Sequence, residues 1–557
     1  MESRRSFLKQ LAAAGLTVPF AGLNLGRPAV PEPPSGDGSL AASSNAMTSA
    51  QLAGQRVIYS YAGTTVPAAL LDQIAAGQAA GVVFFGQNIT SPAQLASVVD
   101  QLRAARQQSP VSSPLLLMTD QEGGLVRRLP GAPTLSEKQV GQAADPAAAA
   151  AQAGTGAAQN LGSIGLNTNL APVLGVYRQP GDFLDQYQRS FSQDPATVAA
   201  CGRAFIAAQQ QIGVAATAKH FPGLGAASAS QNTDAVPVTL SQSLSTLRSV
   251  DEAPYPDAIA AGVKLVMMSW AVYPALDPSR PAGLSPTVVG GELRGRLGYT
   301  GVTITDALEA GALNAYGSTG NRAVLAAQAG MDLILCSARD VAQGQAAAAA
   351  LASALDSGQL PASGFNAAIG RINALRAGLP AGIYFPQTGH WLRYGFRAYW
   401  EQFGGLPVFG YPITDEFSES GVTVQYFQRA RFEWHPGADP ARYDVLLGLL
   451  GDEVARHDGL LGTAPFQRVD AADNASTTYF PQTGHRLAFG FRDYWNAHGG
   501  LPIFGYPISE EYRDPASGLT VQYFERQRFE YHPENSPAWQ VEGGLLGTEV
   551  LAIRGGH

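Results

Sequence analysis

Short apolar runs alternate with alanine-rich stretches of helical pattern over residues 55–380. Such alternation is typical of repeated βα units around a parallel sheet. Eight runs have the length of buried strands, which predicts an α/β fold of the TIM (β/α)8 barrel type. The predicted strands are Val57–Tyr61, Gly81–Phe85, Pro114–Thr119, Asn167–Leu174, Ala215–Ala218, Lys264–Ser269, Val302–Thr305 and Asp332–Cys336. The helices predicted between them include Pro67–Ala79, Pro92–Gln107, Pro195–Ile212, Ser241–Ala261 and Ala323–Ala329.

The pattern changes after residue 380, where aromatic residues, glycine and proline become frequent. The segment Tyr384–His390 returns almost unchanged as Tyr479–His485, and a Gly-Gly-Leu-Pro-(Val/Ile)-Phe-Gly-Tyr-Pro-Ile stretch follows in both copies. Self-similarity of this kind indicates repeated structural units. The sequence therefore predicts two small aromatic-rich modules, 381–466 and 467–557, after the barrel.

Two interpretations of the aromatic residues in these modules stay open. Flat rings such as those of the Tyr399-Trp400 and Tyr494-Trp495 pairs stack well on sugar faces, which would make 381–557 a region that binds cell-wall polysaccharide. A module of this size also needs large side chains simply to fill its core. The Leu-Pro-(Val/Ile)-Phe-Gly-Tyr-Pro stretch resembles the LGFP-type repeats of bacterial cell-surface proteins.

The amino terminus has the organisation of an export signal. Arg4-Arg5 is followed by Phe7-Leu8-Lys9 and then by a weakly apolar stretch that is too short to span a membrane. Residues 1–26 are therefore predicted to be a twin-arginine signal peptide, which leaves no membrane span in the mature protein. Residues 27–54, rich in proline, glycine, serine and alanine, are predicted to be a linker. We expect an extracellular or envelope-associated protein.

Composition narrows the possible functions. The chain has 557 residues, enough for several domains, and a net charge of −8, which argues against nucleic acid as a partner. Its two cysteines, Cys201 and Cys336, lie in apolar runs and are predicted to be buried thiols. Of its eight histidines only His220 precedes residue 380. A catalytic mechanism in the barrel thus has a single imidazole available.

Three polar clusters follow predicted strands of the barrel. The third strand is followed by Asp120-Gln121-Glu122, the fifth by Lys219-His220, and the seventh by Asp306. Because the carboxyl ends of barrel strands carry the active sites of TIM-barrel enzymes, we expect these side chains to meet in one site. A carboxylate such as Asp306 can stabilise an oxocarbenium-like transition state and trap it covalently.

These clusters, together with Phe84–Ile89 and Asn169–Leu174, resemble the single-barrel bacterial β-N-acetylglucosaminidase branch of glycoside hydrolase family 3 over about residues 55–375. The resemblance implies a retaining glycosidase without metal or organic cofactor and with a carbohydrate substrate. It assigns the nucleophile to the aspartate of Thr305-Asp306-Ala307-Leu308. The sugar-binding residues that it implies are Asp120, Arg128, Arg189, Lys219 and His220.

One departure from this branch concerns the general acid/base. The branch uses a histidine on the loop after the Lys-His pair, whereas the loop here, residues 224–234, has no histidine and Asp234 as its only acid. Gly175 and Trp270 also stand where aspartate and histidine are frequent. Three explanations compete: Asp234 replaces the histidine, another donor or an activated substrate is used, or the barrel is catalytically silent.

The sequence thus favours hydrolysis of terminal β-linked N-acetylhexosamine in cell-wall turnover. A catalytically silent glycan-binding protein of the cell envelope is the alternative from another functional class. A β-glucosidase-like activity is a narrower alternative, because the residues that contact a 2-acetamido group cannot be picked out of the sequence.

Overall fold

The computed structural model describes residues 47–379, 382–470, 473 and 476–555. The predicted signal peptide and most of the predicted linker, together residues 1–46, lie outside these ranges. In the described parts of the chain no helix is long and apolar enough to cross a membrane.

Eight parallel strands form a nearly closed barrel, which confirms the predicted TIM-like fold. The first seven strands are hydrogen-bonded in chain order, and the first also pairs with the eighth, where Val57 lies opposite Ile334. A parallel bridge between Ile304 and Leu333 joins the seventh strand to the eighth. The strands are β1 Val57–Tyr59, β2 Gly81–Phe84, β3 Leu116–Thr119, β4 Thr168–Asn169, β5 Ala215–Phe221, β6 Leu265–Met268, β7 Val302–Ile304 and β8 Ile334–Leu335.

Helices surround the barrel and begin at residues suited to capping. Ser91 and Asp145 each accept a hydrogen bond from the backbone of the first helical turn that follows, and a proline stands at the first position of both helices. The α-helices are Ser49–Gly54, Ala68–Ala75, Pro92–Gln107, Glu137–Gly141, Pro146–Gly162, Phe183–Gln186, Pro195–Gln211, Leu244–Thr246, Tyr255–Ala260, Thr319–Ala329, Val341–Asp356 and Ala362–Ala377. The barrel region also has two π-helical stretches, Leu247–Asp251 and Thr287–Arg296, and three 3-10 helices, Gly86–Asn88, Ala282–Leu284 and Gly311–Tyr316.

Two predicted elements differ from the structure because of proline. The single helix predicted over Ser241–Ala261 is wrong: the chain forms short α and π turns up to residue 251 and a separate helix from Tyr255. Pro254 and Pro256 lack the N–H groups that a continuous helix would need there. The strand predicted over 167–174 is reduced to two residues, since Pro172 interrupts its ladder, and Val173 rejoins the sheet through a bridge to Lys219.

Residues 47–54, which are predicted to belong to the linker, pack against the barrel. Thr48 and Gln51 form a reciprocal capping box, with hydrogen bonds of 3.2 and 3.0 Å, which starts the helix Ser49–Gly54. Gly54 is buried so closely against the backbone of Gln78 that a Cβ atom would lie 2.3 Å from it. The packed body of the protein therefore includes residues that were assigned to the linker.

Beyond the barrel, residues 382–470 and 476–555 form what we call the first and second C-terminal segments. Each contains a two-stranded and a four-stranded antiparallel sheet. The strands of the first segment are Gly382–Phe385, His390–Arg393, Phe417–Glu419, Val422–Tyr426, Arg431–Trp434 and Val445–Leu447, with helices Tyr394–Phe403, Gly405–Phe409 and Leu450–His457. The strands of the second are Thr477–Phe480, His485–Ala488, Tyr512–Arg513, Thr520–Tyr523, Arg528–Tyr531 and Val541–Gly543, with helices Phe489–Ala497, Gly500–Phe504 and Leu546–Ile553.

The first C-terminal segment is anchored on the barrel. The Trp391 indole N–H donates to the carbonyl of Ile212 at 2.9 Å, and the ring lies against Gly162, where a Cβ atom would come within 3.2 Å of it. The Arg103 guanidinium bridges the carbonyls of Gly165 and Gly382. Because Gly162 and Gly165 lie at the amino side of β4, this contact is remote from the carboxyl ends of the strands.

Candidate active site

All seven site residues predicted from the sequence line one pocket of about 390 Å³. The barrel brings them together, since Asp120 directly follows β3, Lys219 and His220 lie near the end of β5, and Asp306 comes shortly after β7. Loops contribute the remaining predicted residues. The seven residues are Asp120, Arg128, Arg189, Lys219, His220, Asp234 and Asp306.

Lys219 is the centre of a buried charge cluster on one side of the pocket. Its Nζ lies 2.9 Å from Asp120 Oδ1 and 2.7 Å from Glu122 Oε1, and the Lys219 and Glu122 side chains are each only 2% exposed. The Arg189 guanidinium binds Glu122 with two bonds of 2.8 Å. Arg128 adds a contact of 3.5 Å to Asp120. Burial by itself raises the pKa of Asp120, but Lys219 and Arg128 outweigh it and hold this pKa below its usual value.

Lys219→Met is expected to lower the free energy of unfolding by about 3–5 kcal/mol, because it leaves two buried carboxylates without their shared ammonium. The measurement is urea denaturation of the variant and the wild-type chain. Lys264→Met is the matched control, since Lys264 is exposed and its loss is expected to change stability by less than about 0.5 kcal/mol. Equal denaturation midpoints for the two variants would show that Lys219 does not stabilise the fold through these carboxylates.

Asp306 and His220 approach each other in the same pocket. Asp306 Oδ1 accepts the backbone N–H of Ala307 at 2.8 Å, and Oδ2 lies 4.0 Å from His220 Nε2. Burial, and after it the nearby Asp234, raises the pKa of Asp306 to about 7. Burial together with Arg189 and Lys219 lowers the pKa of His220 well below its usual value. His220 is therefore a neutral imidazole at pH 7, and its buried Nδ1 has no hydrogen-bond partner among the described residues.

The loop that lacks the expected histidine delivers Asp234 to the pocket. Its backbone is pinned to the segment after Asp306, since the Gly311 N–H donates to the Asp234 carbonyl at 2.8 Å and the Ala312 N–H to the Thr233 carbonyl at 3.1 Å. Burial raises the pKa of Asp234, the positive charge of Arg189 opposes this, and Glu309 raises it further. The pocket thus holds two carboxyl groups, Asp306 and Asp234, that take up protons more readily than ordinary aspartates.

Local packing explains the two other positions, Trp270 and Gly175, at which the chain departs from the family's sequence pattern. The Trp270 side chain is buried, and its indole N–H donates to the carbonyl of Ala307 at 2.8 Å, so it fixes the residue next to Asp306. Gly175 has no room for a side chain, because a Cβ atom would lie 2.2 Å from a methyl group of Leu184. Neither position supplies a proton donor.

Sequence reasoning missed two carboxylates of the site. Glu122 was visible only as part of an acidic run, and its buried contacts with Lys219 and Arg189 depend on the closure of the barrel. Glu309, three residues after Asp306, also lines the pocket. Its Oε1 accepts the Ser337 hydroxyl at 2.7 Å and its Oε2 accepts the Gln343 amide at 3.0 Å. Both oxygens of Glu309 are therefore engaged as acceptors.

Among the residues that the structure describes, no group of three or more histidine, cysteine, aspartate or glutamate side chains is arranged to hold a metal ion. The polar groups of the pocket instead suit a polyhydroxylated ligand. Carboxylates, ammonium and guanidinium groups and a neutral imidazole together offer acceptors and donors to hydroxyl groups at several angles.

Comparisons with known proteins agree with this arrangement. Residues 51–375 match the glycosyl hydrolase family 3 N terminal domain. An uncharacterized secreted glycosyl hydrolase of Arthroderma benhamiae is 46% identical over 345 residues, which are 62% of this chain and 97% of that protein. A β-hexosaminidase of Xylella fastidiosa is 36% identical over 282 residues, which are 49% of this chain and 81% of that protein.

Solved structures give the same relationship. A β-N-acetylhexosaminidase from Beutenbergia cavernae superimposes on this chain with a TM-score of 0.55 at 33% identity. The alignment covers 60% of this chain and 99% of the Beutenbergia chain. A glycoside hydrolase family 3 β-N-acetylglucosaminidase from a Paenibacillus strain gives a TM-score of 0.56 at 35% identity, over 60% of this chain and 63% of that one. The protein is a glycosidase that hydrolyses O-glycosyl bonds of a carbohydrate substrate, and the chain belongs to glycosyl hydrolase family 3.

Proposed function

We propose that this protein is an exported β-N-acetylhexosaminidase that retains anomeric configuration, with Asp306 as nucleophile and Asp234 as general acid/base. The observation that carries the proposal is the presence in one pocket of two carboxyl groups with raised pKa, Asp306 and the more exposed Asp234. A retaining glycosidase needs one carboxylate to attack and one carboxylic acid to donate a proton. Burial raises the pKa of both groups and Asp234 adds to the increase at Asp306, so the two aspartates take up protons more readily than ordinary aspartates do.

The reaction proceeds in two displacements. The ionised Asp306 carboxylate forms a bond to the anomeric carbon while the glycosidic C–O bond breaks and Asp234 gives its proton to the departing oxygen. A water molecule then attacks the anomeric carbon of the glycosyl ester, and its proton returns to Asp234. Asp306 leaves as a carboxylate, so both groups regain their starting protonation states.

The charge cluster around Lys219 holds the sugar. Asp120 accepts from sugar hydroxyl groups, and Lys219, Arg128 and Arg189 donate to them. Because Glu122 binds both Lys219 and Arg189, these two cations are held in place before the substrate arrives. His220 stays neutral, which keeps one ring nitrogen free to accept while the other donates.

The proposal also states where in or outside the cell the enzyme acts. The Arg4-Arg5 pair predicts export by the twin-arginine route, and the fungal relative of 46% identity is named as secreted. We place the enzyme outside the cytoplasm or at the cell envelope, acting on N-acetylhexosamine residues of cell-wall fragments. The domain boundaries predicted at 381 and 467 divide it into a catalytic barrel and two repeat modules. The enzyme-named relatives do not favour the alternative of a catalytically silent glycan binder.

The test compares two aryl substrates and traps the intermediate. We expect kcat/KM for the β-N-acetylglucosaminide to exceed that for the β-glucoside by at least about 100-fold, since hydrogen-bonding sites discriminate strongly against a missing group. A mechanism-based inhibitor that keeps the N-acetyl group is expected to label the peptide that contains Asp306, as read by mass spectrometry. Preference for the glucoside would overturn the substrate assignment, and a label on another carboxylate would overturn the mechanism.

A further inference from the structure

The two C-terminal segments pair with each other through reciprocal contacts. The helices Leu450–His457 and Leu546–Ile553 stand at equivalent places in the two segments and pack together. Two pairs of hydrogen bonds between the segments are reciprocal. In the first pair, the Asp452 N–H donates to the Glu525 carbonyl and the Thr548 N–H donates to the Gln428 carbonyl, both at 3.2 Å. In the second pair, Arg429 Nε donates to the Gly543 carbonyl at 2.9 Å and Arg526 Nε donates to the Leu447 carbonyl at 3.3 Å. This reciprocity is that of an approximate two-fold axis, which creates two equivalent clefts between the segments.

The cleft on the first segment is filled by its own side chains. The Arg442 guanidinium lies over the Phe403 ring at 4.5 Å. Arg442 is the last residue of the short turn Pro440–Arg442, and Trp539 is the last residue of the matching turn Pro537–Trp539 in the second segment. The two residues therefore occupy equivalent positions. Phe403 corresponds to His498, since each directly precedes the Gly-Gly-Leu-Pro stretch of its segment. The two clefts therefore share their backbone frame but differ in the side chains that line them.

The cleft on the second segment is open, with a volume of about 410 Å³. Trp539 lines it and is 50% exposed. His498 stacks on Tyr494 with 4.1 Å between ring centroids and 24° between the planes. Glu542 replaces the exposed Leu446 of the other cleft, and Arg429 approaches it to 3.4 Å from the first segment.

The exposure of Trp539 separates it from the aromatic residues that fill the core. Tyr399, Phe432 and Phe529 are almost fully buried in a cluster shared by both segments. The Trp400 and Trp495 indoles donate to the carbonyls of Gly410 and Gly505. Of the two tyrosine–tryptophan pairs, Tyr399 is buried, Trp400 and Trp495 pack partly buried against the core, and Tyr494 also lines the cleft. Trp539, by contrast, leaves an indole surface open to a ligand.

We propose that this cleft is a second saccharide-binding site, distinct from the active site, that binds a segment of a polymer containing N-acetylglucosamine. The Trp539 indole offers an apolar surface to the C–H face of a pyranose ring, while His498, Glu542 and Arg429 offer donors and acceptors to its hydroxyl and amide groups. Arg429 and Glu542 neutralise each other, which suits an uncharged sugar rather than a phosphate. The choice of N-acetylglucosamine rests on the proposed function of the barrel.

Retention of the full-length protein on insoluble chitin and on peptidoglycan tests this site. Trp539→Ala is expected to lower the retained fraction about tenfold, consistent with the loss of one aromatic contact. Trp434→Ala is the matched control, because Trp434 is 46% exposed in the first segment but does not line the cleft. A second variant, Trp539→Arg with His498→Phe, copies the filled cleft and is expected to lose retention while its thermal midpoint stays that of the wild type.

Hydrolysis of an aryl β-N-acetylglucosaminide is measured in parallel. Equal rates for the wild type and all variants are expected, since the small substrate needs only the barrel pocket. Wild-type retention by the Trp539→Ala variant would overturn the proposal, and so would a wild-type protein that neither polymer retains. Failure of the proposed catalytic function would appear instead as an absence of aryl hydrolysis in every variant, a readout that does not involve retention.

Discussion

Asp306→Asn is expected to lower kcat for an aryl β-N-acetylglucosaminide by at least about 10⁴-fold, the scale seen when a nucleophile is removed from a preorganised site. The carboxamide has the shape of the carboxylate but cannot form the glycosyl ester. Its side-chain oxygen still accepts the backbone N–H of Ala307, which Asp306 Oδ1 accepts at 2.8 Å in the wild type. The loss is therefore chemical, and the fold around β7 is expected to remain.

Steady-state kinetics and a thermal midpoint for the same preparations check this result. Asp72→Asn is the matched control, since Asp72 is exposed on the helix Ala68–Ala75 and lies outside the pocket. Its kcat is expected to equal that of the wild type. Residual activity of Asp306→Asn above about one tenth of wild type would assign the nucleophile to another carboxylate, because a nucleophile contributes orders of magnitude to the rate.

The barrel was predictable because each strand lies in a short apolar run whose burial is nearly complete. The helix Pro92–Gln107 also has the predicted bounds, since Ser91 and Pro92 signal its start. The prediction of secondary structure failed at two segments in which proline interrupts the pattern of apolar residues. The strand around Pro172 is short although its sequence is apolar, and the helix before Pro254 is broken although its pattern is helical.

The site was predictable in its membership but not in its electrostatics. Polar residues at strand ends predicted four pocket-lining side chains, and the family resemblance and the loop sequence supplied the other three. Nothing in the sequence indicates that Glu122 holds both Lys219 and Arg189. Ser337, which engages Glu309, is 28 residues away from it along the chain. The contact of Ser337 with Glu309 exists only once β7 and β8 are neighbours, and that of Lys219 with Glu122 only once β3 and β5 belong to one barrel, so the sequence alone does not show them.

The charged residues at the pocket form two groups of different charge behaviour. In the first group, Lys219, Arg189 and Glu122, opposite charges are in direct contact and the pKa of Glu122 is lowered. In the second group, Asp306 and Asp234, burial raises both pKa values, and Asp234 adds to the increase at Asp306. In the proposed mechanism the first group holds the sugar and the second performs the acid/base chemistry.

Asp234→Asn is expected to lower kcat/KM for an N-acetylglucosamine oligosaccharide by about 10²–10⁴-fold, the usual contribution of a general acid. The effect on an aryl glycoside with an acidic leaving group is expected to be much smaller, because that leaving group departs without a proton. Glu309→Gln tests the competing hypothesis of a different donor. Since Ser337 and Gln343 already occupy both Glu309 oxygens, we expect its ratio of aryl to oligosaccharide rates to equal that of the wild type.

The pH dependence of the same variant provides an independent test. Asp306 must be ionised to attack, so wild-type activity is expected to fall as the pH drops through about 7, the pKa to which burial and Asp234 raise Asp306. Asp234→Asn removes one of these two causes. The acidic limb of the aryl-glycoside profile is therefore expected to move to lower pH while the burial contribution remains. An unmoved limb, together with equal losses on both substrates, would exclude Asp234 as the acid/base and leave the proton to a group outside this pair.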